Sequence, residues 1–254
     1  MAGSRSLSLQ IANIGAFVAT VLVNALANAL ALNGRTTGEI SDLYPTLITP
    51  AGYVFSIWGL IYALLLGFTV FQALPRNRWK QFLAKISFLF VGSSLANISW
   101  LFLWHYGQIT LSTIPMFALL AMLIMIYLRL QIGKSNVSLS ERLLVHLPFS
   151  VYLGWITVAS IANVAVALTA IGWSRWGLSD VVWAVLVIAV ALAITLAVVS
   201  IRRDIVYSLV IVWALVGIAA RQSENLSIVL AAGIGVGIIV IASAASIIIS
   251  RLAR

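Results

Sequence analysis

Apolar residues fall into eight long runs, at about 9–32, 52–74, 83–106, 111–131, 143–171, 181–200, 205–220 and 226–249, parted by short polar stretches. A run of roughly 20 apolar residues matches the hydrocarbon thickness of a bilayer. The pattern therefore predicts an all-α integral membrane protein with about eight transmembrane helices. The seventh run is the shortest, and only Arg202, Arg203 and Asp204 separate it from the sixth. A re-entrant seventh segment stays open on this pattern alone.

Polar and aromatic residues inside the runs are not scattered. At about 100° per residue, Gln10, Asn13, Thr20, Asn24 and Asn28 share one face of the first helix, beside Ala27, Ala31 and Phe17. Amides turned to lipid are costly, so this face is expected to meet other helices through hydrogen bonds and close approach. In the second run, Pro50-Ala-Gly-Tyr-Val-Phe-Ser-Ile-Trp-Gly-Leu-Ile-Tyr62 brings Phe55, Trp58 and Tyr62 within roughly 60° of one another. The third run places Ser93, Asn97, Trp100 and Trp104 on one face, and the fifth does the same with Tyr152, Trp155, Ala159 and Asn163. A lipid anchor gains nothing from such stripes. They are either the wall of a small-molecule cavity, where flat apolar surface meets a few hydrogen-bonding groups, or ordinary helix–helix packing.

The connection 33–49 is long for a helix bundle and leads straight into the aromatic stretch. It is either a lid or a plain surface connection. Pro50 suits the first turn of the next helix, Pro148 is placed to bend the fifth, and Trp79 among basic residues reads as an interfacial anchor.

Composition agrees with the pattern: 63% of the 254 residues are hydrophobic and 8% charged, against roughly 25% charged in soluble domains. The net charge of +9 would suggest nucleic acid in a soluble chain, but here it lies in short loops and topology explains it. With eight crossings and an inner amino terminus, Arg5, Arg76, Arg78, Lys80, Lys85, Arg129, Lys134, Arg142, Arg202, Arg203, Arg251 and Arg254 fall inside. Only Arg35, Arg175 and Arg221 fall outside, which accounts for all 15 basic residues. The positive-inside rule then makes both termini cytoplasmic. The first run is too long for a cleaved signal core.

Catalytic chemistry finds no footing. Without cysteine there is no disulfide, thiolate metal site or thiol nucleophile. His105 and His146 are predicted at opposite membrane faces and cannot ligate a metal together. The acids Glu39, Asp42, Asp180 and Glu224 lie outside and Glu141 and Asp204 inside, so no span carries a carboxylate relay. Gly233-x-Gly-x-Gly sits in a membrane helix and is no nucleotide loop; it reads instead as a small-residue packing face. The chain is read as a non-enzyme with no catalytic residue, no metal site, no required cofactor and no nucleic-acid partner.

The aromatic stripes resemble the TspO/MBR family, the tryptophan-rich sensory or translocator proteins, which are five-helix membrane bundles. Pro50, Tyr53, Phe55, Trp58 and Tyr62 occupy the places of the family's second-helix motif. Asn97 and Trp100 match its third-helix pattern, and Tyr152, Trp155 and Asn163 reproduce its fifth-helix spacing. The resemblance covers about 9–171, so the chain divides into a TspO/MBR-like five-helix bundle, 1–171, and a three-helix transmembrane extension, 172–254. It implies a pocket binding a tetrapyrrole such as protoporphyrin or haem, lined by Phe55, Trp58, Tyr62, Asn97, Trp100, Trp155 and Asn163, with Tyr53 and the 33–49 connection at its mouth. The aromatics would stack on the ligand and the two amides would orient its polar substituents. It further implies a sensor or carrier in a bacterial plasma membrane, with the lipid bilayer and a hydrophobic small molecule as partners, and a homodimer. The chain departs from the family pattern at Tyr53, where a Trp is usual, and at Ile57, where a Pro is usual; an altered ligand preference would originate there. A secondary transporter of a small hydrophobic compound and a structural or assembly subunit are the alternative readings.

Overall fold

A computed structural model describes the backbone of residues 2–252 and the side chains of 6–249. Arg5, Arg251 and Arg254, counted above on the inner side, lie outside the described side chains. The helices in chain order are α1 (Ala2–Ala29), α2 (Thr37–Asp42), α3 (Gly52–Ala73), α4 (Gln81–Ile86), α5 (Leu89–His105), α6 (Ile109–Leu130), α7 (Leu139–Ala170), α8 (Asp180–Arg202), α9 (Ile205–Arg221) and α10 (Leu226–Leu252). Six of them, α1, α3, α6, α7, α8 and α10, are long and apolar enough to cross a membrane. The protein is a multi-pass integral membrane protein.

Local chemistry fixes where the helices begin and end. Ser138, Ser179 and Asp204 cap α7, α8 and α9 by accepting from the backbone N–H three residues on. The short α2 has a full capping box, Thr36 with Glu39. Pro50 precedes the capping residue Ala51 rather than entering the first turn, and residues 52–56 form a tight turn before α3 becomes regular at Ile57. The third apolar run is not one rod. It breaks at Ser87, whose φ of 50° lies in the left-handed region, and α4 lies, with Phe82, Leu83 and Ile86 buried, at the end of the bundle expected to face the cytoplasm, called inner below, the opposite end being outer.

The tertiary order follows from which helices touch. α1 packs on α3 and α5, α5 on α6, α6 on α7, and α7 on α3, closing a five-helix ring. α8, α9 and α10 pack on one another, and α9 seats this group against α7. α7 therefore has neighbours on both sides: 72% of its apolar window is buried, against 22–39% for the other long spans. Burial of the α1 polar face agrees with the expectation at Gln10, Asn13, Thr20 and Asn24, but Asn28 at the outer end is exposed. On α10 only Gly235 approaches a neighbour, Leu215; Gly233 and Gly237 face open space.

The seventh run is not re-entrant. At its inner end Asp204 is buried, its carboxylate accepting from the Tyr127 hydroxyl (2.9 Å), the Ser150 hydroxyl (2.6 Å) and the Tyr207 N–H (3.2 Å). At its outer end the Arg221 guanidinium meets Asp42 at 2.7 Å. α9 thus runs from one end of the bundle to the other. Asp204 was expected in a hydrated inner loop; three donors from α6, α7 and α9 allow it to be buried instead.

Candidate functional site

Aromatic stripes from α3 and α7 converge at the outer half of the ring. Trp58 stacks on Tyr62 at 5.6 Å and meets Tyr152 and Trp155 edge-on at 6.1 and 6.2 Å. Phe55 meets Trp155 edge-on at 5.8 Å. From α5, Trp100 and Trp104 stack on each other at 5.6 Å. The spacing of three and four residues that put each stripe on one helix face also turns it inward.

Hydrogen bonds set the helices around this cluster. Asn24 of α1 donates to the Asn97 carbonyl (2.8 Å), and the Asn97 amide donates to the Tyr152 hydroxyl (3.4 Å). The Trp100 indole donates to the Asn163 carbonyl (3.0 Å), whose amide donates to the Ser112 hydroxyl (3.0 Å). α1, α5, α6 and α7 are thereby tied together through Asn97 and Asn163, with Asn24 as the α1 partner. Both amides are already engaged with neighbouring helices, so in this arrangement neither is free to orient a ligand. Unpartnered buried polar atoms beside the stripes include the Trp155 indole nitrogen, the Tyr62 hydroxyl and the Ser160 hydroxyl.

The 33–49 connection does cover the cluster. The Trp104 indole donates to the Thr37 carbonyl (3.1 Å), and Asn33 donates to the His105 carbonyl (2.9 Å). The His105 ring sits between the Leu32 carbonyl (3.0 Å) and the Thr37 hydroxyl (3.1 Å). A carbonyl only accepts, so Nδ1 carries the proton, and in the neutral ring Nε2 accepts from Thr37. Under this cover lies a cavity of about 40 Å³. Phe55, Trp58, Trp100, Trp155 and Asn163 line it, as do Trp104, Thr37, Thr49 and the small face of α7 at Val158, Ala159 and Ala162. Its lining carries no charged side chain.

Of the eight residues singled out from sequence, these five face the cavity. Tyr62 and Asn97 lie behind it in the stack and in the asparagine pair. Tyr53 points elsewhere: half exposed, it meets Trp213 of α9 edge-on at 5.4 Å. Trp104 was readable one turn beyond Trp100. The lid residues were not, because only the fold brings them over the stripes. Ligand clefts commonly measure roughly 300–1,000 Å³, so at about 40 Å³ the cavity is too small as it stands for a large ligand.

The extension grips the start of α3. Ala51 N–H donates to the Gly217 carbonyl (3.0 Å) and the Trp213 indole to the Val54 carbonyl (3.2 Å). These bonds fix the first turn of α3, which carries Phe55, and Arg221 adds a partly exposed ion pair to Asp42 of the connection.

The sequence model of one protein family, described as TSPO-like protein, matches residues 10–245. The match runs past the aromatic core and through the last three helices. No curated protein and no solved structure matches the chain. With nearly the whole chain matched and the aromatic stripes converging inside a five-helix ring, the chain belongs to the TSPO-like family.

Proposed function

We propose that the protein binds a flat hydrophobic ligand of the tetrapyrrole class, such as protoporphyrin or haem, beneath the lid, and serves as a sensor or carrier, not as an enzyme. The Trp155 indole N–H carries this reading. It is 2% exposed and has no acceptor, on the wall of a cavity otherwise faced mainly by aromatic rings and aliphatic carbon. A buried donor without a partner is costly, and a carbonyl or carboxylate oxygen of an incoming ligand relieves it. The tryptophan rings supply stacking surface. Lifting the lid opens the volume, with the Trp104–Thr37, Asn33–His105 and Thr37–His105 bonds as the contacts to break.

The cavity lining includes no iron ligand, and both His105 nitrogens are engaged with the lid. Binding on this reading is by stacking, so protoporphyrin and its iron form bind with similar affinity. The basic residues at the inner end support cytoplasmic termini.

Titration of the protein in mild detergent with protoporphyrin and with haem, followed by tryptophan fluorescence, tests the reading. Saturable quenching by both is expected, weakened by Trp58→Leu combined with Trp155→Leu. Saturable quenching that is undiminished in the double variant refutes it.

A further inference from the structure

A second, larger cavity of about 450 Å³ lies at the outer end, between the lid, the end of α7 and the starts and ends of the extension helices. Trp173, Arg175, Asp180, Trp183, Arg221 and Gln222 line it, together with Thr46 of the lid. Neither the five-helix ring nor the three-helix group forms it alone. Its volume falls within the usual range of ligand clefts, unlike the space under the lid.

The lining has an aromatic surface and a charged one, in which the Asp180 carboxylate stands among the cations. Trp173 and Trp183 pack edge-to-face at 4.8 Å, presenting indole carbon. Opposite in character are two guanidinium groups, each tethered by one carboxylate: Arg175 by Asp180 and Arg221 by Asp42. The cations are the deeper members of both pairs. Arg175 and Arg221 are 35% and 29% exposed, whereas Asp180 and Asp42 are 60% and 56% exposed. Ion pairs this exposed contribute little, so a carboxylate can swing out to water while the guanidinium stays. An arginine fork has five N–H donors matched to a carboxylate, and the Gln222 amide adds another donor at the same end.

We infer that this outer cleft is a second binding site, distinct from the cavity under the lid, for a flat amphipathic acid: an aromatic body laid against Trp173 and Trp183 with its carboxylate on Arg221 and Arg175. Because Arg221 also holds Asp42 of the lid, an acid bound there competes with a lid contact.

The test uses full-length protein in nanodiscs of zwitterionic lipid, with pyrene-1-carboxylate as probe and the neutral 1-pyrenemethanol as control. Energy transfer from tryptophan to pyrene reports binding. Saturable transfer is expected for the acid in excess of the alcohol. Arg175→Gln combined with Arg221→Gln should weaken it roughly tenfold or more, as loss of charged hydrogen-bond partners does. Arg175→Lys with Arg221→Lys, which keeps the charge, should recover part of that loss. Trp183→Leu should weaken acid and alcohol alike. Equal binding of acid and alcohol by the unaltered protein overturns the inference. So does a glutamine pair that binds as well as the parent, or a loss confined to Trp58→Leu with Trp155→Leu, which would put the probe under the lid.

Discussion

Replacing Gly217 by alanine probes the contact through which the extension grips the mouth of the bundle. A Cβ at this position would stand 2.1 Å from Cγ2 of Val54 and 3.3 Å from Cβ of Pro50. Val54 is fully buried and β-branched, so its methyl has no rotamer into which to retreat cheaply. α9 must move outward, at an overpacking cost of about 1–3 kcal/mol. That movement also stretches the Ala51–Gly217 bond, worth about 0.5–1.5 kcal/mol. Alanine returns up to about 1 kcal/mol in helix propensity. The net expectation is a loss of about 2 kcal/mol. Val54→Ala alone costs about 1 kcal/mol, the lower end for two lost carbons, because helices that part within lipid stay in an apolar medium. The double variant removes the collision and keeps the propensity gain, so it should lie near the parent and above Gly217→Ala. Equilibrium unfolding in mixed micelles, titrated with sodium dodecyl sulfate and followed by tryptophan fluorescence, measures all four proteins. Additivity of the two substitutions to within about 0.5 kcal/mol would refute the proposed close approach.

Two further outcomes follow from bonds described above. Asn97→Leu removes the partner of both Asn24 and Tyr152, but Asn24 keeps its bond to the Thr20 carbonyl; interhelical bonds in membranes average about 0.6 kcal/mol, so a loss of roughly 1 kcal/mol in the same unfolding assay is expected, and a gain would count against the network. In the lid, the bonds from Thr36 hold the exposed Glu39 carboxyl below its ordinary value of 4.5. A lowered folded value means the capping box stabilises α2 fully above the ordinary glutamate range and loses that contribution as pH falls through the lowered value. Hydrogen exchange of residues 36–43 should therefore show less protection at pH 3 than at pH 6, after correction for intrinsic rates, and Glu39→Gln should flatten the difference.

Much of this architecture was legible because bilayer thickness sets a length that a sequence can display. Seven of the eight apolar runs became one helix each and the third became two, and the stripes at Phe55, Trp100 and Trp155 met because helical spacing alone decides which residues share a face. Where the reading differed, the cause is non-local or stereochemical. The break at Ser87 leaves no trace in an apolar run, since Ile86, Phe88 and Leu89 would suit an unbroken helix equally well. Tyr53 shares its stretch with Phe55, but the tight turn at 52–56 rotates it toward Trp213. Trp213 and Gly217 read as ordinary packing in an isolated helix; their roles exist only because α9 lies beside Ala51 and Val54. The lid was visible as a long connection, but His105 and Trp104, which hold it, belong to another helix and gave no local sign of that task.

The buried Asp204 bears on how portable the last three helices are. Their hairpin turn consists of little more than Arg202, Arg203 and Asp204, and the chain elsewhere has already made room for it. A Cβ at Gly133, whose φ is +81°, would stand 1.9 Å from the Arg202 carbonyl, and Tyr127 and Ser150 supply the donors that let the acid leave water. Those three residues all precede the hairpin, so the ribosome delivers the socket before the plug. Grafting the three helices onto a five-helix relative lacking that glycine, tyrosine and serine would strand a carboxylate at the seam. The last third of this chain looks like an appendage in the sequence, yet it is keyed to the first two thirds and is not an interchangeable part.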